Sequence, residues 1–486
     1  MRRILPYLLL ALISGCTVGP EYRKPATLAD TTSPPPLLRD GSEADISTPL
    51  PARWWQLYED PLLDGLEEKA LARNTDLRVA LASLEQAQAT LRGIERERTP
   101  QTSLTVDPSY GQASGDASGS PVALNSTAVY DALGSVSYDL DLFGRLRRSI
   151  EAGQADVGAA QAALDLARVN VAAATAAAYS SACSAGMQIA VTQRSVAIAQ
   201  QTLDVTQKRF HAGVAGINDV VRARTLLRQT NATLPNLEAR QRTALFTLAT
   251  LTGDQPQDFP TAVAACSHPP VLRQSIPIGD GAALLARRPD IRRAERQLAS
   301  SVAGIGISSA ALYPSITIGG SLGTTATRLT DIARDRAFHW NVGPLITWNF
   351  PNRSSARAEI ASANAAARGA LAQFDGTVLT ALRETDTALT NLARQLDTER
   401  ELAAARDDAA AANANIQRLY AGGVADFLDR LDAERTLIQA ENALAAATVQ
   451  VSQDQITLFL ALGGGWQAAP PVYTAPLQPV ARGRRR

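Results

Sequence analysis

The 486-residue chain is written twice, and what is repeated does not suit a single compact core. Ala72-Arg73-Asn74-Thr75-Asp76-Leu77-Arg78 recurs as Ala286-Arg287-Arg288-Pro289-Asp290-Ile291-Arg292. At that offset, roughly 210 residues, Pro100 matches Pro314. Phe210-His211-Ala212-Gly213 matches Tyr420-Ala421-Gly422-Gly423, Asp219 and Ala223 match Asp429 and Ala433, and Gly253 matches Gly463. Each copy orders the same features: helix, strand, loop, strand, a very long helix, a glycine turn and a long returning helix. Arg145 to Phe210 and Ser354 to Tyr420 contain no proline and are rich in Ala, Leu, Gln and Arg. As continuous helices they would each run about 100 Å at 1.5 Å per residue, a length that serves a coiled coil or a tunnel. Aromatic residues make up only 5% of the chain, and the abundant alanines let helices approach closely instead.

Gly213 and Gly422-Gly423 are the natural turns between antiparallel helices. In the second returning helix Leu437, Leu444, Val451 and Leu458 recur every seven residues, with Ala440 and Ala447 three residues after the first two. That is a heptad seam with small residues opposite large ones. The first copy keeps Leu227, Leu234 and Leu248 on this frame, but Pro235 predicts a kink. Four segments alternate with period two: Leu104, Val106, Pro108 and Tyr110; Tyr130, Ala132, Val136, Tyr138 and Leu140; Ile316, Ile318 and Leu322; Phe338, Trp340, Val342, Ile346 and Trp348. Their partners are mostly Ser, Thr, Asp, Asn and His. In a membrane barrel the apolar side faces lipid, and the aromatic rings near strand ends (Tyr110, Tyr130, Tyr138, Trp340, Trp348) favour that arrangement. Closure takes about eight strands, and an open edge in hydrocarbon leaves backbone groups unpaired. The barrel must therefore be shared among identical chains; the strand count alone permits a dimer or a trimer.

The N-terminus reads as a processing signal: Arg2 and Arg3, the apolar run Ile4 to Ile13, then Ser14-Gly15-Cys16. This order resembles a bacterial lipobox, which implies a signal peptide over 1–15, cleavage before Cys16 and lipidation of Cys16. Thr17 in place of Asp resembles the sorting signal for the outer membrane. No later segment carries the ~18 consecutive apolar residues of a transmembrane helix. The expected organisation is an N-terminal lipidated segment over 16–60, repeat one over 61–253 with strands near 101–111 and 128–141, and a linker over 254–281. Repeat two follows over 282–465 with strands near 314–323 and 337–350, and then a tail over 466–486, ending in the basic run Arg482 to Arg486, that reads as disordered.

These residues resemble the outer-membrane factor family of the TolC type, and more closely its lipoprotein branch (NodT/OprM-like) that serves resistance-nodulation-division efflux pumps. The likeness is carried by Cys16-Thr17-Val18-Gly19-Pro20-Glu21-Tyr22, Trp54-Trp55, Leu284 through Ile291 with its Arg-Arg-Pro-Asp-Ile, Ala311 to Gly323, and Tyr420 to Arg435. It implies a mainly α fold: a homotrimer with a shared 12-stranded barrel, four strands per chain, continued by a periplasmic α-helical barrel. An equatorial belt would come from Thr252 to Gly281 and the terminal segments. The implied partners are a periplasmic adaptor, docking at the turns of Gly213, Gly422 and Gly423, and an inner-membrane resistance-nodulation-division transporter. The same resemblance assigns the periplasmic aperture to Leu428, Asp429, Asp432 and Arg435, and a latch to Tyr420; Ala425 stands where another member has a latching arginine. Asp429 and Asp432 are three apart and share a helix face, so three copies would crowd carboxylates around an axis and favour cations. The plainer alternative is a solvated acidic helix start.

Lys+Arg and Asp+Glu are 47 each, so nothing points to nucleic acid. His211, His268 and His339 lack metal-ligand spacing, and no cofactor, metal or catalytic constellation is expected. Three cysteines make no disulfide framework; Cys183 lies in an Ala-rich helix and Cys266 in the linker, and a bond between them is the less favoured reading. The alternatives to an efflux duct are a type I secretion channel, against which the lipobox and Arg-Arg-Pro-Asp-Ile argue, and a periplasmic coiled-coil lipoprotein scaffold without membrane strands.

Overall fold

The computed structural model describes residues 17–25, 44–45, 48–112, 114, 125–272, 275–279, 281–348, 350 and 353–474. Cys16, the leader before it and the basic tail lie outside them. In chain order the elements are β1 (Ala44–Asp45), α1 (Pro61–Arg73), α2 (Thr75–Arg96), β2 (Gln101–Gly111), β3 (Thr127–Asp139), α3 (Arg145–His211), α4 (Ile217–Asn231) and α5 (Leu234–Leu251). They continue with α6 (Thr261–Ala264), β4 (Ile276–Pro277), α7 (Gly281–Arg287), α8 (Pro289–Ala310), β5 (Ser315–Ala326), β6 (Phe338–Thr347), α9 (Arg353–Ala421) and α10 (Phe427–Leu462). The proline-free runs fold as uninterrupted helices of 67 and 69 residues, α3 and α9. Copy one breaks between α4 and α5 immediately before Pro235, whereas α10, with no proline, runs 36 residues.

The chain divides into two units. One comprises Met1–Pro25, Leu84–Ala160 and Arg293–Phe374. It holds a four-stranded antiparallel sheet in the order β2-β3-β5-β6, so the two copies meet where β3 pairs with β5. The register keeps the two sides chemically distinct. Ser103 lies opposite Ser135, which in turn lies opposite Ser321, and Asp107 lies opposite Asp131, which in turn lies opposite Thr325; the hydroxyls of Ser103 and Ser135 are 2.7 Å apart, and Thr325 donates to the Asp131 carboxylate at 2.5 Å. The other side carries Leu104, Val106, Tyr110, Val136, Ile318, Leu322, Trp340, Val342 and Ile346, all exposed, with Leu104 and Val342 each 76% accessible. Within the described residues β2 and β6 each have one unpaired edge. The segment following position 16 is seated in this unit: Arg148 donates to the carbonyls of Val18 (3.4 Å) and Gly19 (3.3 Å), and the Tyr22 hydroxyl donates to Glu295 at 2.6 Å. A methyl group on Gly19 would stand 2.5 Å from the Gly306 Cα, so only glycine lets the two backbones approach this closely.

The other unit comprises Ala26–Ser83, Gln161–Arg292 and Asp375–Arg486. Ala162, Ala172, Ala176 and Ala182 of α3 are completely buried, which is how helices poor in large side chains still pack. Trp54 stacks on Phe459 with ring centroids 4.4 Å apart, and β1 pairs with β4 in parallel. The two copies close their ends by parallel devices. In copy one Asn74 donates to the Leu251 carbonyl at 3.1 Å, and its side-chain oxygen accepts from Asp76 and Leu77, capping α2. In copy two Arg288, also buried, donates to Ala461 at 2.8 Å and to Asp290 and Glu384, while Arg287 donates to Leu462 at 3.0 Å. The Arg-Arg-Pro-Asp run thus satisfies the last carbonyls of α10 and starts α8 with Pro289.

One sequence expectation is overturned here. Cys183 and Cys266 form a disulfide, with Cα atoms 4.8 Å apart across a separation of 83 residues. The linker lies against α3 one turn further on: a methyl group at Gly186 would meet the Cys266 carbonyl oxygen at 2.1 Å. Glycine at 186 opens the helix surface to the linker backbone and brings the two thiols together.

Candidate functional site at the hairpin turns

Both glycine turns are built on one pattern. In copy one the Val214 N–H donates to the Arg209 carbonyl at 3.0 Å, and Gly213 has φ of 77°. In copy two the Val424 N–H donates to the Leu419 carbonyl at 2.9 Å, and Gly423 has φ of 75°. This six-residue closure needs a left-handed residue, hence glycine at 213 and 423; Gly422 is in the ordinary region. Val214, Ile217, Val221, Val424 and Leu428 stand exposed around the turns, Val424 at 78%.

The helix starts that follow differ in charge. Asp426 caps α10, accepting from the Asp429 N–H at 2.8 Å, while the Asp429 carboxylate accepts from the Asp426 N–H at 3.2 Å. The carboxylate of Asp219 accepts from Gly216 at 3.1 Å in copy one, where glycine supplies no reciprocal cap. Asp429 is therefore a helix-starting residue in both copies' pattern. Asp432, opposite Arg222 of copy one in the repeat, has no such local use. Together with Arg435 it lines a polar groove of about 370 Å³ against Gln229 and Thr230 of α4. Asp429, Asp432 and Arg435 are exposed, and among the described residues no ion pair joins Arg435 to either acid.

Behind these residues lies a buried connection that sequence reasoning missed. The Tyr420 ring is held between two guanidinium groups, Arg209 at 4.8 Å and Arg430 at 5.1 Å from its centroid. Arg430 donates to the Thr202 hydroxyl at 3.1 Å, and that hydroxyl donates to Glu434 at 2.8 Å. Glu434 is 1% exposed; burial pushes its carboxyl above the usual range, against the pull of Thr202 and Arg430. Around the network Ala199 and Leu203 of α3, Val220, Ala223, Leu226 and Leu227 of α4, and Leu431 and Ile438 of α10 form one apolar cluster. Its only sequence signals are Tyr420 itself and a glutamate at an otherwise apolar helical spacing from Leu431 and Ile438.

A sheet with open edges and an apolar exposed side, in a chain carrying long helical hairpins, defines a membrane channel subunit. No helix among the described residues is long and apolar enough to cross a membrane. The model of the family "Outer membrane efflux protein" matches residues 66–254 and 282–464, one match per copy, and the chain belongs to that family. It is similar to Nodulation protein T of Rhizobium leguminosarum bv. trifolii, 28% identical over 94% of this chain and 96% of that one. It is likewise similar to Outer membrane protein OprJ of Pseudomonas aeruginosa, 29% identical over 94% and 95%. Among solved structures, the outer-membrane channel OprN superposes with a TM-score of 0.85 at 34% identity, covering 93% of this chain and all of that one. The chain is an efflux channel of the outer membrane.

Proposed function

We propose that three copies of this chain pair β6 of one with β2 of the next and close a twelve-stranded barrel, and that the assembly is the passive exit duct of a tripartite pump. The carrying observation is the sheet itself: the residues on its apolar side are exposed and, among the described residues, its two outer edges are unpaired, a state that hydrocarbon tolerates only when the sheet closes. The OprN match covers this chain at an identity that supports a common assembly as well as a common fold. Cys16 carries the acyl anchor, and the seated Thr17–Tyr22 segment holds that end beside the sheet unit. The apolar turns at Gly213 and at Gly422 and Gly423 take the tip of a periplasmic adaptor, and an inner-membrane resistance-nodulation-division transporter supplies the energy. Leu428, Asp429, Asp432 and Arg435 form the periplasmic aperture, with Tyr420 holding the second hairpin against the first. Conductance in planar bilayers tests this reading. Wild type should pass current with cation preference, and Asp429→Ala/Asp432→Ala should change conductance and weaken that preference. Unchanged conductance and selectivity would remove the aperture assignment.

A further inference from the structure

Past the end of β6 and at the start of α9 lie residues that form a second kind of site. Trp348 lies just past the end of β6, at the two-residue period that Trp340, Val342 and Ile346 share, and its ring N–H donates to the Leu312 carbonyl at 3.2 Å. The rings of Trp348 and Phe350 are 5.0 Å apart, and both are exposed. The Arg353 guanidinium stands 5.9 Å from the Trp348 ring. Leu312, Trp348, Phe350, Arg353, Ser355 and Glu359 line an open cleft of about 370 Å³.

Two features of the cleft specify its ligand. Its aromatic wall continues the apolar side of the sheet, so whatever enters it comes from the layer that covers that side. Arg353 and Glu359 line the same cleft without meeting, and among the described residues neither has an ion-pair partner. Two opposite charges held apart beside an apolar wall are complementary to a dipolar group with an attached hydrocarbon chain. We propose that the cleft binds the headgroup of an amine-bearing zwitterionic phospholipid, its phosphate on Arg353, its ammonium on Glu359 and its acyl chains along Trp348 and Phe350. The site would fix the depth of the sheet in the bilayer. This rests on the reading of the apolar side as lipid-facing.

The test uses the full-length assembled protein, delipidated and then exposed to nanodiscs of phosphatidylethanolamine or phosphatidylglycerol, with retained lipid counted by native mass spectrometry. Wild type should retain phosphatidylethanolamine at least about threefold over phosphatidylglycerol, roughly 0.7 kcal/mol. Glu359→Gln should abolish that preference, and Arg353→Gln should lower retention of both lipids. Equal retention of the two lipids by wild type, or retention unaffected by Arg353→Gln, overturns the site. Dibrominated acyl chains separate this from failure of the underlying reading. In a variant whose other four tryptophans are phenylalanine, quenching of Trp340 fluorescence shows the apolar side in lipid whatever happens at Arg353; an unquenched Trp340 removes the lipid-facing side and the headgroup site with it.

Discussion

Asp429 and Asp432 stand three residues apart with different duties, and their substitutions should separate accordingly. Asp429 closes a capping box with Asp426, so Asp429→Ala loses a helix-starting contact worth about 1 kcal/mol along with its charge. Asp429→Asn keeps an acceptor and removes only the charge. Asp432 makes no such contact, so Asp432→Ala should shift cation selectivity in bilayer recordings while leaving the unfolding free energy within about 0.5 kcal/mol of wild type. A selectivity change confined to Asp429→Ala, absent in Asp429→Asn and Asp432→Ala, would mean that the loosened helix start is responsible. Glu67 poses the converse case. It is fully buried on α1, and burial holds its carboxyl well above the usual range. A raised carboxyl favours the protonated fold: the stabilisation is complete below the ordinary glutamate range and fades as pH rises through the raised value. Unfolding midpoints of wild type should therefore fall more steeply than those of Glu67→Gln as pH rises above the ordinary glutamate range, and Glu67→Gln should be the more stable of the two once the wild-type carboxyl is ionised in the fold. Parallel curves would show that Glu67 does not set the slope.

At the scale of elements, the hairpins were legible wherever the signal was local. The proline-free runs, the glycines at 213 and 423 and the interruption by Pro235 each act within a few residues, and helix ends follow from them. The four alternating segments likewise place their apolar side chains on one side in the observed register. What was not legible depends on residues distant in sequence. Arg209 and Arg430 meet Tyr420 from different helices, and Glu434 finds Thr202 across 232 residues. The Cys183–Cys266 bond depends on the linker's approach at Gly186, which no spacing in the sequence encodes. Reducing that bond, or replacing both cysteines with serine, should cost about 2–5 kcal/mol of unfolding free energy. The loss should appear as earlier proteolysis in the linker 254–281 by timed digestion; an unchanged cleavage pattern would show that the bond does not hold the linker. Tyr420→Ala removes the ring between the two arginines. It should raise open probability in bilayer recordings without lowering expression; an unaltered trace would show that the ring is not a latch.

At the scale of the whole molecule, the internal repeat explains why one chain is not enough. Duplication gave the chain two strand pairs joined at β3 and β5, and the resulting sheet of four leaves β2 and β6 open. Each unpaired backbone group in hydrocarbon costs several kcal/mol, far more than one chain's marginal stability can absorb. Joining identical copies satisfies those edges and at the same time encloses the polar side of Ser103, Asp107, Asp131 and Thr325 as a water-lined passage. The number of chains in the closed ring therefore decides whether the sheet can stand in lipid. Native mass spectrometry of the protein released from mild detergent measures it directly: one species of three chain masses is expected, dissociating only with loss of β structure. A stable single-chain species that keeps its full strand content would contradict it.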